Sequence, residues 1–295
     1  MRQIISLLIA IVSLSALGAA TTQPSTDAEP GRGKIVGLDY FFNHQVRNGE
    51  QYHYIWDDTH NSGYSKFGGV WKECGATLST VKKAPTRADL DQLSIFIIVN
   101  PSTVKESPNG QPNFMTDQDA QTIAGWVNDG GVLAMFANDK NTCELEHYNL
   151  LAQRFGITFN IDLRNAVPTV ADRARGTFFA AQFPDHPLFS DVPAIFVKEI
   201  CTLQVKPPAQ PLLVVDNEQG TGKDIIMATA QYGKGLVFAV GDPWFYNEYI
   251  DLKSPPLPID NHKAADNFCR WLLGAASLPK QGAIQGLDSL NRDRE

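Results

Sequence analysis

Residues 94–99, SIFIIV, carry one serine and no charge, and residues 132–137, VLAMFA, repeat the pattern after an amphipathic interval. Strands this apolar offer no polar face to water. They belong in a sheet covered on both sides, which is the habit of parallel sheets. Between them, Thr116 to Asn128 places Ala120, Ile123 and Val127 on one helical face, with Thr116 as N-cap and acids in the first turn. A strand, a helix and a second buried strand make the βαβ unit of an α/β protein.

The alternation extends in both directions. Ile35 to Tyr40 reads as a first short strand, and residues 63–75 space Tyr64, Phe67, Val70, Trp71 and Cys74 at a helical period that Gly75 stops. Ala76 to Val81 is a strand, followed by a short helical turn over 87–93 capped by Thr86. After 132–137 comes a helix over 144–155, with Leu145, Tyr148, Ala152 and Phe155 inward and Gly156 as stop. The second half is richer in strands: 157–159, 194–205, 212–215 and 225–230, with a tight turn at Tyr232 to Gly235 making a hairpin into 236–240. Asp260 or Asn261 caps a last helix, and 160–193 shows no periodicity. The expected fold is α/β, a mostly parallel central sheet with helices on both faces and extra β-hairpins in the second half.

Residues 1–20 read as a signal peptide, with Arg2 as basic n-region, an apolar stretch from Ile4 to Leu17, and small residues at Gly18 and Ala20 for cleavage. That stretch is shorter than the roughly 20 residues a membrane span needs. Export to the periplasm or the extracellular space is the expectation, with no membrane association after cleavage. Residues 21–33 read as a flexible leader, 34–278 as one α/β domain, and 279–295 as a disordered tail. The formal charge of −7, with no cluster of Lys and Arg, argues against nucleic acid as a partner. The four cysteines, Cys74, Cys143, Cys201 and Cys269, are widely spaced without a CxxC, so buried free thiols are expected in preference to disulfides or structural zinc.

Polar groups gather where the apolar strands end, which is where open α/β sheets place their ligands. Asp39 and Tyr40 follow the first strand, Asn100 the third, Asn138 and Asp139 the strand at 132–137, and GDPWFYNEY (241–249) the last. The resulting set is Asp57, Asp58, Asn138, Asp139, Glu144, His147, Asp242, Trp244, Tyr246, Asn247 and Glu248, expected to face one crevice. Trp244 and Tyr246 add flat apolar faces of the kind that stack on sugar rings. If the site is catalytic, Asp139, Glu144, His147 and Asp242 are the candidates, a carboxylate pair being the usual apparatus for glycoside hydrolysis. Glu144 and His147 share a helical face, but one histidine and no HExxH spacing fall short of a zinc site; a hydrated calcium on Asp139 and Glu144 is the weaker alternative. No metal and no cofactor are expected. GTGK at 220–223 is a turn, because Asp224 follows the lysine, and no GxSxG elbow occurs.

Three blocks, YIWDDTHNSGYSKFG (54–68), WVNDGGVLAMFANDKNTCELEHYNLLAQRFGI (126–157) and GKGLVFAVGDPWFYNEY (233–249), resemble a domain found fused to unsaturated rhamnogalacturonyl hydrolases. That domain belongs to the class I glutamine amidotransferase-like, flavodoxin-like group, and the resemblance spans most of 34–273. The (α/α)-barrel that carries the hydrolase activity has no counterpart here. Amidotransferases hold a nucleophilic cysteine at the elbow after a central strand and a histidine at a later strand end. At the comparable places this chain has Asn138-Asp139 and Asp242-Pro243-Trp244. Cys143, with His147 four residues on, is the remaining thiol alternative. The resemblance implies a secreted protein of pectin or rhamnogalacturonan use that binds an acidic or rhamnose-containing oligosaccharide at the C-terminal edge of the sheet, with an unsaturated rhamnogalacturonyl hydrolase as possible partner. The alternatives are a carbohydrate hydrolase using a carboxylate pair and a non-catalytic assembly module.

Overall fold

The computed structural model describes residues 29–279; the expected signal peptide, residues 21–28 of the expected leader and residues 280–295 of the expected tail lie outside the described residues. Thirteen strands occur among them: β1 (Ile35–Asp39), β2 (Val46–Arg47), β3 (Glu50–Gln51), β4 (Thr77–Val81), β5 (Ile95–Val99) and β6 (Val132–Phe136) in the first half. The second half supplies β7 (Ile157–Phe159), β8 (Thr177–Phe179), β9 (Ala194–Phe196), β10 (Leu203–Val205), β11 (Ala209–Asp216), β12 (Lys223–Tyr232) and β13 (Gly235–Val240). The α-helices are α1 (Ser65–Glu73), α2 (Arg87–Leu90), α3 (Asp117–Asn128), α4 (Leu145–Ala152), α5 (Asn247–Ile250) and α6 (Asn261–Ala275).

Nine strands form one sheet in the order β4-β1-β5-β6-β13-β12-β10-β7, with β11 paired to β12. The first five are parallel to their neighbours. Counted by appearance among themselves they run 2-1-3-4-5, the doubly wound order of flavodoxin-like folds. β12, β10, β7 and β11 continue the sheet antiparallel.

The apolar runs are explained by two separate cores. Val132, Ala134 and Phe136 pack with α1 and α6 on one face, whereas Leu133, Met135 and Ala137 pack with α2, α3 and α4 on the other. Each residue of β6 is therefore buried, whichever way it points. α3 starts as expected, with a capping box in which the Thr116 side chain accepts from Asp119 N and the Asp119 side chain accepts from Thr116 N. Gly156 stops the α4 region in the left-handed conformation at φ 79°.

Three expectations need correction. The run expected as a strand over 194–205 is broken between β9 and β10, where Glu199 takes φ 52° and Cys201 turns to donate to Gly241 O. Residues 247–250, expected as loop, form α5, and the β2–β3 hairpin was not foreseen because its residues are neither apolar nor alternating. The aperiodic stretch 160–193 holds 3-10 turns and β8.

Buried asparagines clasp the elements together. Asn149 on α4 donates to Phe159 O and accepts from Phe159 N, so its carboxamide pairs with the outer side of β7 as a strand would. Asn261 makes the same two-way bond to Phe196 of β9. Asn165 joins Arg164 to Val197 O. Asn267 donates to Leu188 O and Ser190 O, fixing the preceding loop to α6. At the other border of the sheet, the Trp56 indole N–H donates to Ser79 O of β4. Among the described residues no helix is long and apolar enough to cross a membrane.

Candidate functional site

Parallel strands bring their carboxyl ends to one edge, and hydrogen bonds tie those ends together. Asn100 N donates to Phe136 O at 2.8 Å, Ala137 N to Val240 O at 2.9 Å and Ser102 N to Phe42 O at 2.9 Å. The loop after β1 lies over this edge. Within it Asn43 donates to His53 O, His53 meets Gln45 Oε1 at 2.6 Å, and Gln45 reaches Glu106. Asn48, His53 and Tyr54 all have positive φ, which for residues other than glycine marks strain held by the surroundings.

The expected site residues are distributed unevenly over this edge. Asp57 and Glu248 are exposed. Asp58 is buried and accepts from His53 N, His60 N and the His60 ring, so it organises its own turn. Asn138 accepts from Asp139 N, and Asp139 accepts from Asn141 N at 2.7 Å and Thr142 Oγ1 at 2.9 Å. Glu144 caps α4 and contacts the His147 ring at 3.0 Å, and that ring stacks on Phe114. Asn247 accepts from Lys66 N and donates to Asp58 O, His60 O and Ser65 Oγ. These bonds turn most of the expected ligand contacts into fastenings.

The aromatic platform is a correction. Trp244 is 1 % exposed, stacks on Phe245 with centroids 4.1 Å apart and belongs to the core with Phe67 and Phe268. Tyr246 is also buried in that core. The acids and aromatics of 241–249 look like a binding loop in sequence because turn chemistry and core rings alternate there. Tyr64 OH donates to Pro243 O and pulls the segment inward.

Cys143 is a correction as well. It is buried, and burial, followed by the neighbouring Cys201 and Glu106, raises its thiol well above the usual range. A protonated thiol away from solvent is a poor nucleophile. All four cysteines are buried and free. Among the described residues no group of three or more His, Cys, Asp or Glu is placed to hold a metal ion.

What does converge is a buried polar centre that the sequence only partly suggested. The Tyr54 hydroxyl is raised by burial first, then by electrostatic interaction with Asp242, Glu106, Cys143 and Asp139. Asp39 accepts from the N–H groups of Phe41, Phe42 and Asn43, yet burial outweighs them and lifts its carboxyl to about 7. Asp242 is lifted to about 8 by burial, against opposing bonds from Trp244 N and Lys198 N and the charge of Lys198. Glu106, Lys198 and Glu199 were absent from the sequence reading, since nothing local marks them. Lys198 pairs with Glu199 at 3.0 Å.

The protonated state of Asp242 has a measurable consequence. Between about pH 4 and about 8 the folded chain keeps a proton that the unfolded chain releases, so stability falls as pH rises through that window. Thermal melts across pH 4 to 8 should show a shallower decline for Asp242→Asn than for the parent chain; identical slopes would refute the assignment.

Two side chains at this edge keep buried polar atoms without a protein partner. Asn100, at the end of β5 with φ 44°, is fully buried and neither its oxygen nor its nitrogen has a protein partner. Asn43 Oδ1, in the loop after β1, is likewise buried and unpartnered. The indole N–H groups of Trp71 and Trp244 and the Arg154 Nε are also unpartnered, each on a side chain anchored by other contacts. An open groove lined by Phe183, His186, Phe189, Arg270 and Trp271 lies beside the last turns of α6.

No protein-family model matches the chain, and no curated protein matches it. Solved structures do. The mmIFT52 N-terminal domain is similar over 81 % of this chain and 97 % of its own, with 16 % identity and a TM-score of 0.56. A cytoplasmic protein from Salmonella typhimurium LT2 is similar over 83 % of this chain and 100 % of its own, with 14 % identity and a TM-score of 0.52. A ThuA-like protein from Bacteroides uniformis shares 14 % identity over 82 % of this chain and 92 % of its own, and its TM-score of 0.45 carries no further argument. At these identities the likeness is one of fold. It agrees with the flavodoxin-like strand order, which is compatible with the class I glutamine amidotransferase-like group.

Proposed function

We propose that this chain is a secreted, non-catalytic recognition module of pectin or rhamnogalacturonan breakdown, binding an oligosaccharide at the C-terminal edge of its sheet. The observation that supports recognition over turnover is the state of the expected catalytic groups. Asp139 is occupied by its own turn, Glu144 by a helix cap, and the Asp242 carboxyl by the Trp244 N–H. Cys143 is sealed in the core. These groups are held by the fold, whereas the edge keeps buried polar atoms, on Asn43 and Asn100, without a partner among the described residues. The resemblance supplies the carbohydrate context and an unsaturated rhamnogalacturonyl hydrolase as the partner it would assist.

Calorimetry against a panel of pectic oligosaccharides, with product analysis after incubation with rhamnogalacturonan fragments, tests the reading. Binding without cleavage between about pH 4 and pH 8, where carboxylate pairs work, is the expected result. Cleavage would replace this reading with a hydrolase, and absence of heat across the panel would remove the saccharide altogether.

A further inference from the structure

We infer that the recognition element of this edge is the carboxamide pair Asn43 and Asn100, and that its ligand is the uncharged, hydroxyl-bearing end of a saccharide. The inference rests on the saccharide reading above and narrows it. Its first support is how this chain treats buried asparagines elsewhere. Asn149, Asn165, Asn247 and Asn261 each donate and accept, and Asn267 donates twice. Folded proteins leave few buried polar groups unsatisfied, and an exception asks for a reason. Asn100 is the extreme exception, with both ends of its amide unpartnered at zero exposure.

Their position is the second support. β1 has β4 on one side and β5 on the other, so the chain leaves β1 and β5 in opposite directions across the sheet. The loops part at that point, and flavodoxin-like folds bind ligands there. Asn100 ends β5, and Asn43 lies four residues beyond β1. Ser102 holds the two loops in contact, through Phe42 O and His44 N.

The free valences indicate the ligand. Asn43 Oδ1 and Asn100 Oδ1 call for donors, and Asn100 Nδ2 calls for an acceptor. Hydroxyl groups do both. A carboxylate only accepts, and would meet two oxygens in a neighbourhood containing Asp39 and Glu106. A cation would leave the Asn100 amide N–H unanswered, and Asp39 is already occupied by three backbone N–H groups. Both asparagines are fully buried, and Asn43 is tied through His53 O to the loop that carries Asn48, His53 and Tyr54 at positive φ, so that loop has to lift for the ligand to enter.

The test uses the parent chain and Asn100→Gly, which retains the positive-φ backbone and deletes the amide. Calorimetry is run with oligosaccharides of equal length ending in a neutral sugar or in a uronate, and thermal melts are recorded for both proteins. The parent chain should prefer the neutral end. Asn100→Gly should bind roughly a hundredfold more weakly, as two lost hydrogen bonds at about tenfold each require, without a fall in melting temperature. Should glycine prevent folding, Asn100→Ser, which keeps one hydroxyl, is read instead for a loss of about tenfold. Parent-level affinity in the variant would show that the pair is satisfied by buried water alone and would overturn the assignment while leaving the saccharide reading intact. Preference for the uronate end would overturn the ligand class. No binding by the parent chain overturns the saccharide reading itself, and the assignment with it.

Discussion

Gly241→Ala is expected to cost about 3 kcal/mol or more, among the largest effects of any single methyl group in this chain. Gly241 ends β13 and starts the loop that holds Asp242. A Cβ placed on it would lie 1.8 Å from the carbonyl oxygen of Cys201 and 2.9 Å from its carbonyl carbon. That neighbour is backbone, and it is fixed because Cys201 N donates to Gly241 O at 3.1 Å. It cannot rotate aside as a side chain would. Relief requires the break between β9 and β10 to move, which displaces Lys198 and Glu199 from Asp242. Gly125→Ala on α3 is the control: its Cβ meets nothing within 4 Å, and alanine in a helix should add about 0.5–1 kcal/mol. Denaturant unfolding of the two variants separates the cases, and similar stabilities would refute the close approach.

Phe268→Ala should cost about 3–5 kcal/mol, the range for removing a buried aromatic ring. Phe268 on α6 sits at the hub of the larger core. Its ring lies 5.0 Å from Phe238, 5.4 Å from Phe245 and 5.7 Å from Phe136, with Trp71 and Trp271 at 6.1 and 6.2 Å. These rings come from β13, the 241–249 loop, β6, α1 and α6, so the vacated volume has no single flexible neighbour to collapse into it. Phe268→Leu fills part of that space and should retain most of the stability. If alanine and leucine variants melt together, the hub is looser than its geometry implies.

The fold was legible because burial on both faces leaves a compositional trace that needs no long-range knowledge. The runs at 94–99 and 132–137 announced the parallel sheet, and Thr116 and Gly156 marked helix ends where they occur. The break at Glu199 was not legible, since it answers to Gly241, forty-two residues away. The candidate site was read at the right edge with the wrong emphasis. Acids and rings such as Asp139, Glu144 and Trp244 draw attention in a sequence, but satisfying a turn, a cap or a core uses the same residue types. Asn100 was visible as the polar residue closing an apolar strand. What sets it apart, the lack of any partner for its amide, is a property of three-dimensional surroundings and leaves no local mark.

The carboxamide of Asn149 against Phe159 has a bearing on how this molecule meets others. A sheet with a free outer strand is a template: it can recruit a strand from a neighbour and grow from copy to copy. On β7, which ends the sheet on one side, the Asn149 side chain already occupies the N–H and C=O of Phe159. A strand arriving at that border would have to displace a bond the fold already makes.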